Sequence, residues 1–115
     1  MASTTDPLSL AETYFSSWKA GDFDTLRSVL ADNATFRGPL GSADDGDGCV
    51  QGLRMMSEIV TDIVVRKRLV DGPDVLTWFD LHTTEAPPFP VANWSHVEDG
   101  RIARIQVTFD ARALA

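Results

Sequence analysis

Asp80 and His82 stand two residues apart in the run Val75 to Thr84, whose alternation reads as a β-strand. That spacing puts both side chains on one strand face, about 6–7 Å apart. A carboxylate so placed can orient an imidazole, or both groups can touch one ligand. The strand alone leaves open which way this face points. Ordinary burial preferences put Phe79 and Leu81 in the core and leave Asp80 and His82 wet. The opposite arrangement requires each polar group to find a partner or a ligand that offsets its desolvation.

Few other residues could do chemistry. Cys49 is the only cysteine, so no internal disulfide forms, nothing points to an oxidising compartment, and a cytoplasmic location is expected. The histidines are His82 and His96, so a closed metal site would need carboxylates from several segments; no metal or cofactor is expected. Asp44, Asp45 and Asp47 fall in a glycine- and aspartate-rich run, Gly41 to Gly48, that reads as a solvated loop. The twelve-position calcium pattern ending in glutamate is absent from it.

The chain carries 17 acids against 10 bases, a net charge of −7, and residues 1–62 hold ten of the acids and four of the bases. Nucleic-acid binders rely on clustered Lys and Arg, so no nucleic-acid partner is expected, and nothing points to a membrane surface. Met1 to Pro7 lacks the basic and apolar runs of a secretory leader. With 115 residues, 43% of them hydrophobic, the chain is long enough for one core, and a single domain over 1–115 is expected.

These residues must be positioned by helices first and strands second. Asp6-Pro7 opens a helix, a capping acceptor followed by a proline whose missing N–H costs nothing there. Leu8, Ala11, Tyr14, Phe15 and Trp18 recur at three and four along it, and Gly21 stops it. Asp24 is expected to cap a second short helix with Leu26, Val29 and Leu30 inward, before a short strand around Thr35-Phe36 that Gly38-Pro39 ends. A third helix is expected from about Cys49 to Val60, burying Val50, Leu53, Met56 and Ile59 or Val60.

From Ile63 the pattern has period two. Ile63 to Val70, Val75 to Thr84, Val91 to Glu98 and Ile102 to Phe109 read as antiparallel strands, the last pair joined by the hairpin signal Asp99-Gly100. The proline-rich Glu85 to Pro90 reads as a stiff rim, because proline cannot donate to a central ladder. In the last strand Ile105, Val107 and Phe109 face inward, with Arg104, Gln106 and Thr108 outward.

The segments Tyr14 to Asp24 and Ala34 to Ser42, with Asn93-Trp94-Ser95-His96 further on, resemble the ketosteroid isomerase branch of the nuclear transport factor 2-like superfamily, which includes SnoaL-like polyketide cyclases. The resemblance runs from about Leu8 to Phe109. It implies an α+β, cystatin-like fold: a cone-like barrel with N-terminal helices packed in the concave face of a curved, mostly antiparallel sheet. It also implies a pocket for a mostly apolar small molecule and a homodimer formed through the outer sheet face.

The family register turns Trp78, Asp80 and His82 into the pocket and Thr77, Phe79 and Leu81 outward, where a second subunit would cover them. On that register His82 is the base, Asp80 orients it, and Tyr14 donates to a developing oxyanion. Trp18, Phe36, Met56, Trp78, Asn93, Ser95, Val107 and Phe109 then line the pocket. Gly38 and Ser95 stand where the isomerases carry acids, so standard ketosteroid isomerisation is not expected. Arg37 near Asp80 is the nearest counterpart to the Asp-Arg-Asp set of limonene epoxide hydrolases. Two functions stay open: an isomerase-, cyclase- or hydrolase-like enzyme that moves a proton, or a non-catalytic ligand-binding or scaffold dimer.

Overall fold

A computed structural model describes residues 6–114, so Met1 to Thr5, most of the segment Met1 to Pro7 in which no leader is expected, lie outside the described residues. Helix α1 (Pro7–Ala20) begins where the Asp6 carboxylate accepts from the Ser9 amide at 3.2 Å. It ends at Gly21, whose φ of 74° is backbone that glycine adopts without strain. Helix α2 (Phe23–Ser28) is capped by Asp22 rather than by Asp24, because only Asp22 sits where a carboxylate can accept from the third amide ahead, that of Thr25.

Leu30 opens strand β1 (Leu30–Gly38), which is longer than the short strand expected around Thr35-Phe36. The run read as a loop contains strand β2 (Gly41–Ala43) and the first turn of helix α3 (Gly46–Met56). Asp45 caps that helix by accepting from the Gly48 amide at 2.7 Å. Its neighbours Asp44 and Asp47 bind Arg37 and Arg27, each within 2.9 Å. The aspartates are thus spent on local order, and among the described residues no cluster able to hold a metal ion is found.

Strands β3 (Val60–Asp71), β4 (Asp74–Thr83), β5 (Phe89–Glu98) and β6 (Arg101–Thr108) form an antiparallel meander. Asp99 and Gly100, at φ 53° and 76°, make the tight turn into β6 that the Asp-Gly pair predicts. Phe89 and Pro90 belong to β5 rather than to the rim, a start-of-strand position that tolerates proline.

The sheet order is β2-β1-β6-β5-β4-β3, with β1 parallel to β6 and the other junctions antiparallel. Three helices pack against this curved sheet, the expected nuclear transport factor 2-like α+β arrangement, and β2 and β3 are left as edges, so the cone is open rather than closed. Phe15 of α1 meets Phe79 of β4 edge-on at 5.1 Å between ring centres, and the Trp18 indole N–H donates to the Leu53 carbonyl of α3 at 3.0 Å. Arg27 ties α2 to β1 and α3 by donating to Asp32, Asp47 and the Leu30 carbonyl. That junction needs Gly46, since a Cβ there would lie 2.6 Å from the Ala31 carbonyl oxygen. Among the described residues no helix is long and apolar enough to cross a membrane.

Candidate functional site

Between α1, α3 and the concave sheet face lies a cavity of about 450 Å³. Its wall is apolar: Trp18 from α1, Phe79 and Leu81 from β4, Val91 from β5, Val107 from β6 and Phe109 just after it. Its inner end is made by Tyr14, Cys49 and Asn93, all buried. Its outer end opens between α3 and the β1–β2 hairpin, where Phe36, Met56 and four glycines line it. Among the described residues none of the lining side chains is Asp, Glu, His, Lys or Arg.

Tyr14 is positioned by the apolar stripe of α1, which carries its ring inward beside Phe15 at 4.9 Å between centres. Its hydroxyl is buried with no hydrogen-bond partner among the described residues. Burial holds its pKa well above the ordinary phenol value; the Asn93 amide, near enough to favour the phenolate but outside hydrogen-bonding geometry, opposes this only in part. Asn93 itself accepts from the Ser95 hydroxyl at 3.2 Å. The Cys49 thiol lies within reach of the Ala34 carbonyl at 3.6 Å, and burial pushes its pKa up to about 11, so it stays a thiol at neutral pH. The cavity therefore offers neutral hydrogen-bonding groups and no ready base.

The strand that was expected to carry the chemistry faces the other way. In β4, Val75, Thr77, Phe79 and Leu81 are buried, whereas Trp78 is 48% exposed and Asp80 and His82 lie on its outer face. The expected inward register of Trp78, Asp80 and His82 is corrected accordingly, and with it His82 as a base in the pocket and Asp80 as its positioning partner. The physical reason is ordinary: the inward slot takes Phe79 against Phe15, while Asp80 accepts from Arg66 of β3 at 2.7 Å at the surface. His82 stands opposite Asp62, itself paired with Lys19 at 2.8 Å. Arg37 likewise binds Asp44, and two strands, β6 and β5, separate its strand from that of Asp80.

Residues 11–105 match the SnoaL-like domain family. The chain belongs to that family. Its fold is shared with a protein from Kribbella flavida at 28% identity and a TM-score of 0.83, covering 89% of this chain and 84% of the other. A nuclear transport factor 2-like protein from Cytophaga hutchinsonii is similar at 24% identity and 0.83, covering 92% and 91%. An LEH-like epoxide hydrolase from M. tuberculosis is similar at 24% and 0.79, covering 96% and 86%. No curated protein matches the chain significantly.

In this SnoaL-like domain Tyr14, Trp18, Phe36, Met56, Asn93, Val107 and Phe109 line the cavity as expected, and Ser95 is buried beneath it without lining it. Sequence reasoning missed Cys49, Phe79, Leu81 and Val91 as lining residues. The signal for β4 and β5 was present in plain alternation: Phe79 and Leu81 continue one apolar face, and Asn93 and Ser95 interrupt another, Phe89, Val91 and Val97. A polar pair inside an apolar alternation marks a face that needs polar groups within.

Proposed function

We propose that this SnoaL-like domain binds a neutral, mostly apolar small molecule end-on, with a carbonyl-type acceptor at the buried end facing Tyr14 and Asn93. The observation that carries the reading is the Tyr14 hydroxyl, buried at the inner end of an uncharged cavity and without a partner among the described residues. An unpaired buried hydroxyl costs about 1–3 kcal/mol, and a ligand oxygen that accepts from it recovers that cost. A carboxylate or phosphate is disfavoured, because among the described residues no cation lines the cavity to offset its desolvation.

Binding without proton transfer is favoured over the isomerase-, cyclase- or hydrolase-like alternative, since Tyr14 and Cys49 are both held as weak acids and the remaining lining groups do not titrate near neutrality. Titration calorimetry with para-methoxyacetophenone and para-methoxybenzoate tests the ligand class. The ketone binds and the carboxylate does not; tighter binding of the carboxylate would refute it.

A homodimer through the outer sheet face forms part of the same proposal. Leu69, Leu76 and Trp94 stand in one cross-strand row, with Trp78 in the next, and all four are exposed. A contiguous apolar patch of this kind is uncommon on a monomer. Four strands ~4.8 Å apart and ten residues long give a face of roughly 600 Å² before side-chain relief, of the order of the ~800 Å² per partner that a stable pair needs. Sedimentation of the protein and of a Trp78→Asp variant checks it: a dimer that the variant dissociates supports the pairing, and a wild-type monomer removes it.

A further inference from the structure

We infer that the ligand is elongated, with a flexible hydrocarbon tail that leaves the cavity through a slot between α3 and the β1–β2 hairpin. This rests on the neutral-ligand reading above and deepens it. The slot is lined by Gly41 on the hairpin and Gly52 on α3. Neither glycine is explained by the fold. Neither has a positive φ, and a Cβ built on either meets no atom within 4 Å.

The contrast with the other glycines is informative. Gly21, Gly72 and Gly100 adopt positive φ, and Gly46 is forced by the Ala31 carbonyl. Glycine within a helix lowers its stability relative to alanine, so an unforced Gly52 inside α3 weakens that helix for no packing return. What both bare positions do is keep the passage open. Gly48, one turn before Gly52, also lines the cavity but is accounted for by packing, since a Cβ there would lie 3.2 Å from the Ala43 Cβ of β2, so the unforced bare positions are Gly41 and Gly52 alone.

Two observations say what passes through. Tyr14, whose hydroxyl is buried with no partner among the described residues, lines the same cavity, and on the reading above it takes the polar end of the ligand. The open end is flanked by Leu40 and Met55, 59% and 61% exposed, both lining residues and both apolar. Large side chains of this kind at the rim of an open slot offer a greasy lip to a hydrocarbon chain and nothing to a polar one. A ligand wholly contained in the cavity would use neither the two bare positions nor the lip.

Calorimetric titration of para-methoxyacetophenone and para-octyloxyacetophenone into the wild-type protein and the Gly52→Leu variant tests the slot. The long ketone binds the wild type about tenfold or more tighter than the short one, because its tail covers Leu40 and Met55. Gly52→Leu fills the slot, lowering affinity for the long ketone by about tenfold while changing the short one by less than about twofold. A double Leu40→Ser, Met55→Ser variant, both positions being exposed, weakens the long ketone alone. If the short ketone binds and Gly52→Leu leaves the long one undiminished, the slot is wrong and the pocket reading stands. If neither ketone binds the wild type, the pocket reading falls and takes the slot with it.

Discussion

On the outer face of β4 and β5 the polar side chains hold one another: Asp80 meets Arg66, Asp74 accepts from the Trp94 indole, His96 contacts Asp74 at 2.7 Å, and its other ring nitrogen reaches Glu98 at 3.2 Å. On the concave side Ser95 holds Asn93, Arg68 holds Thr77, and the Tyr14 hydroxyl has no partner among the described residues. Asp80, one of the pair whose types and spacing look catalytic, is satisfied by Arg66 across the neighbouring strand at the surface, and His82 lies on the same outer face, away from the cavity. The inner group is a single hydroxyl on an apolar helix face, unremarked by spacing. Chemistry-bearing residues that complete each other are surface order; the one left incomplete beside a cavity is the better candidate for a ligand.

The largest effect that sharpens this comparison is on stability. Phe79→Ala should destabilise by about 3–5 kcal/mol, since a buried ring packed on Phe15 is lost. Asp80→Ala should cost under about 1 kcal/mol, as a partly exposed ion pair does. Urea unfolding measures both, and comparable losses would mean that the faces of β4 are exchanged.

Glycines give a second, smaller contrast. Gly46→Ala should cost about 1–3 kcal/mol, because its methyl group has the Ala31 carbonyl and the Arg27 guanidinium in its way. Gly52→Ala should stabilise by up to about 1 kcal/mol through helix propensity, with open space around the new methyl. Thermal melts of the two variants moving in opposite directions are the expected result.

The smallest effect is in pH. Asp22, Asp32, Asp62 and Asp74 are held below the ordinary 3.8 by hydrogen bonds from Thr25, Arg27, Lys19 and His96 respectively, and Asp110 is lowered to about 2 by Arg112. The unfolded chain therefore binds protons more readily than the folded one, so this stability is fully present above the unfolded value and lost as pH falls through the depressed ones. Urea midpoints should be level down to about pH 5 and fall below about pH 4. Asp74→Asn should flatten part of that fall, and a variant as acid-sensitive as the wild type would remove Asp74 from the set.

Local signals carried most of the fold. Asp6, Gly21 and Asp99-Gly100 act through caps and turns that involve only their neighbours, and they end elements where expected. Strand β2 escaped because three residues pair only once β1 exists, and the start of α3 was hidden because Asp45 in a glycine-rich run looks like solvated loop until its capping bond is seen. Seven of the expected cavity residues do line it, since they sit on elements whose apolar period is unambiguous. The β4 face was misread by giving a family register precedence over the strand's own alternation, which had Phe79 and Leu81 inside all along. An outer face covered by a partner was the premise, and Asp80 needs none when Arg66 is beside it.

Tyr14→Phe and Asp80→Asn, each titrated with para-methoxyacetophenone, put the central claim to its most direct test. Tyr14→Phe should weaken binding about tenfold, the loss of one hydrogen bond to a ligand oxygen, while the apo protein unfolds at the same or a higher urea concentration because no internal bond is broken. Asp80→Asn, on the outer face, should leave the affinity unchanged. Undiminished binding in Tyr14→Phe together with loss in Asp80→Asn would place the ligand on the other side of the sheet and contradict the assignment of the cavity.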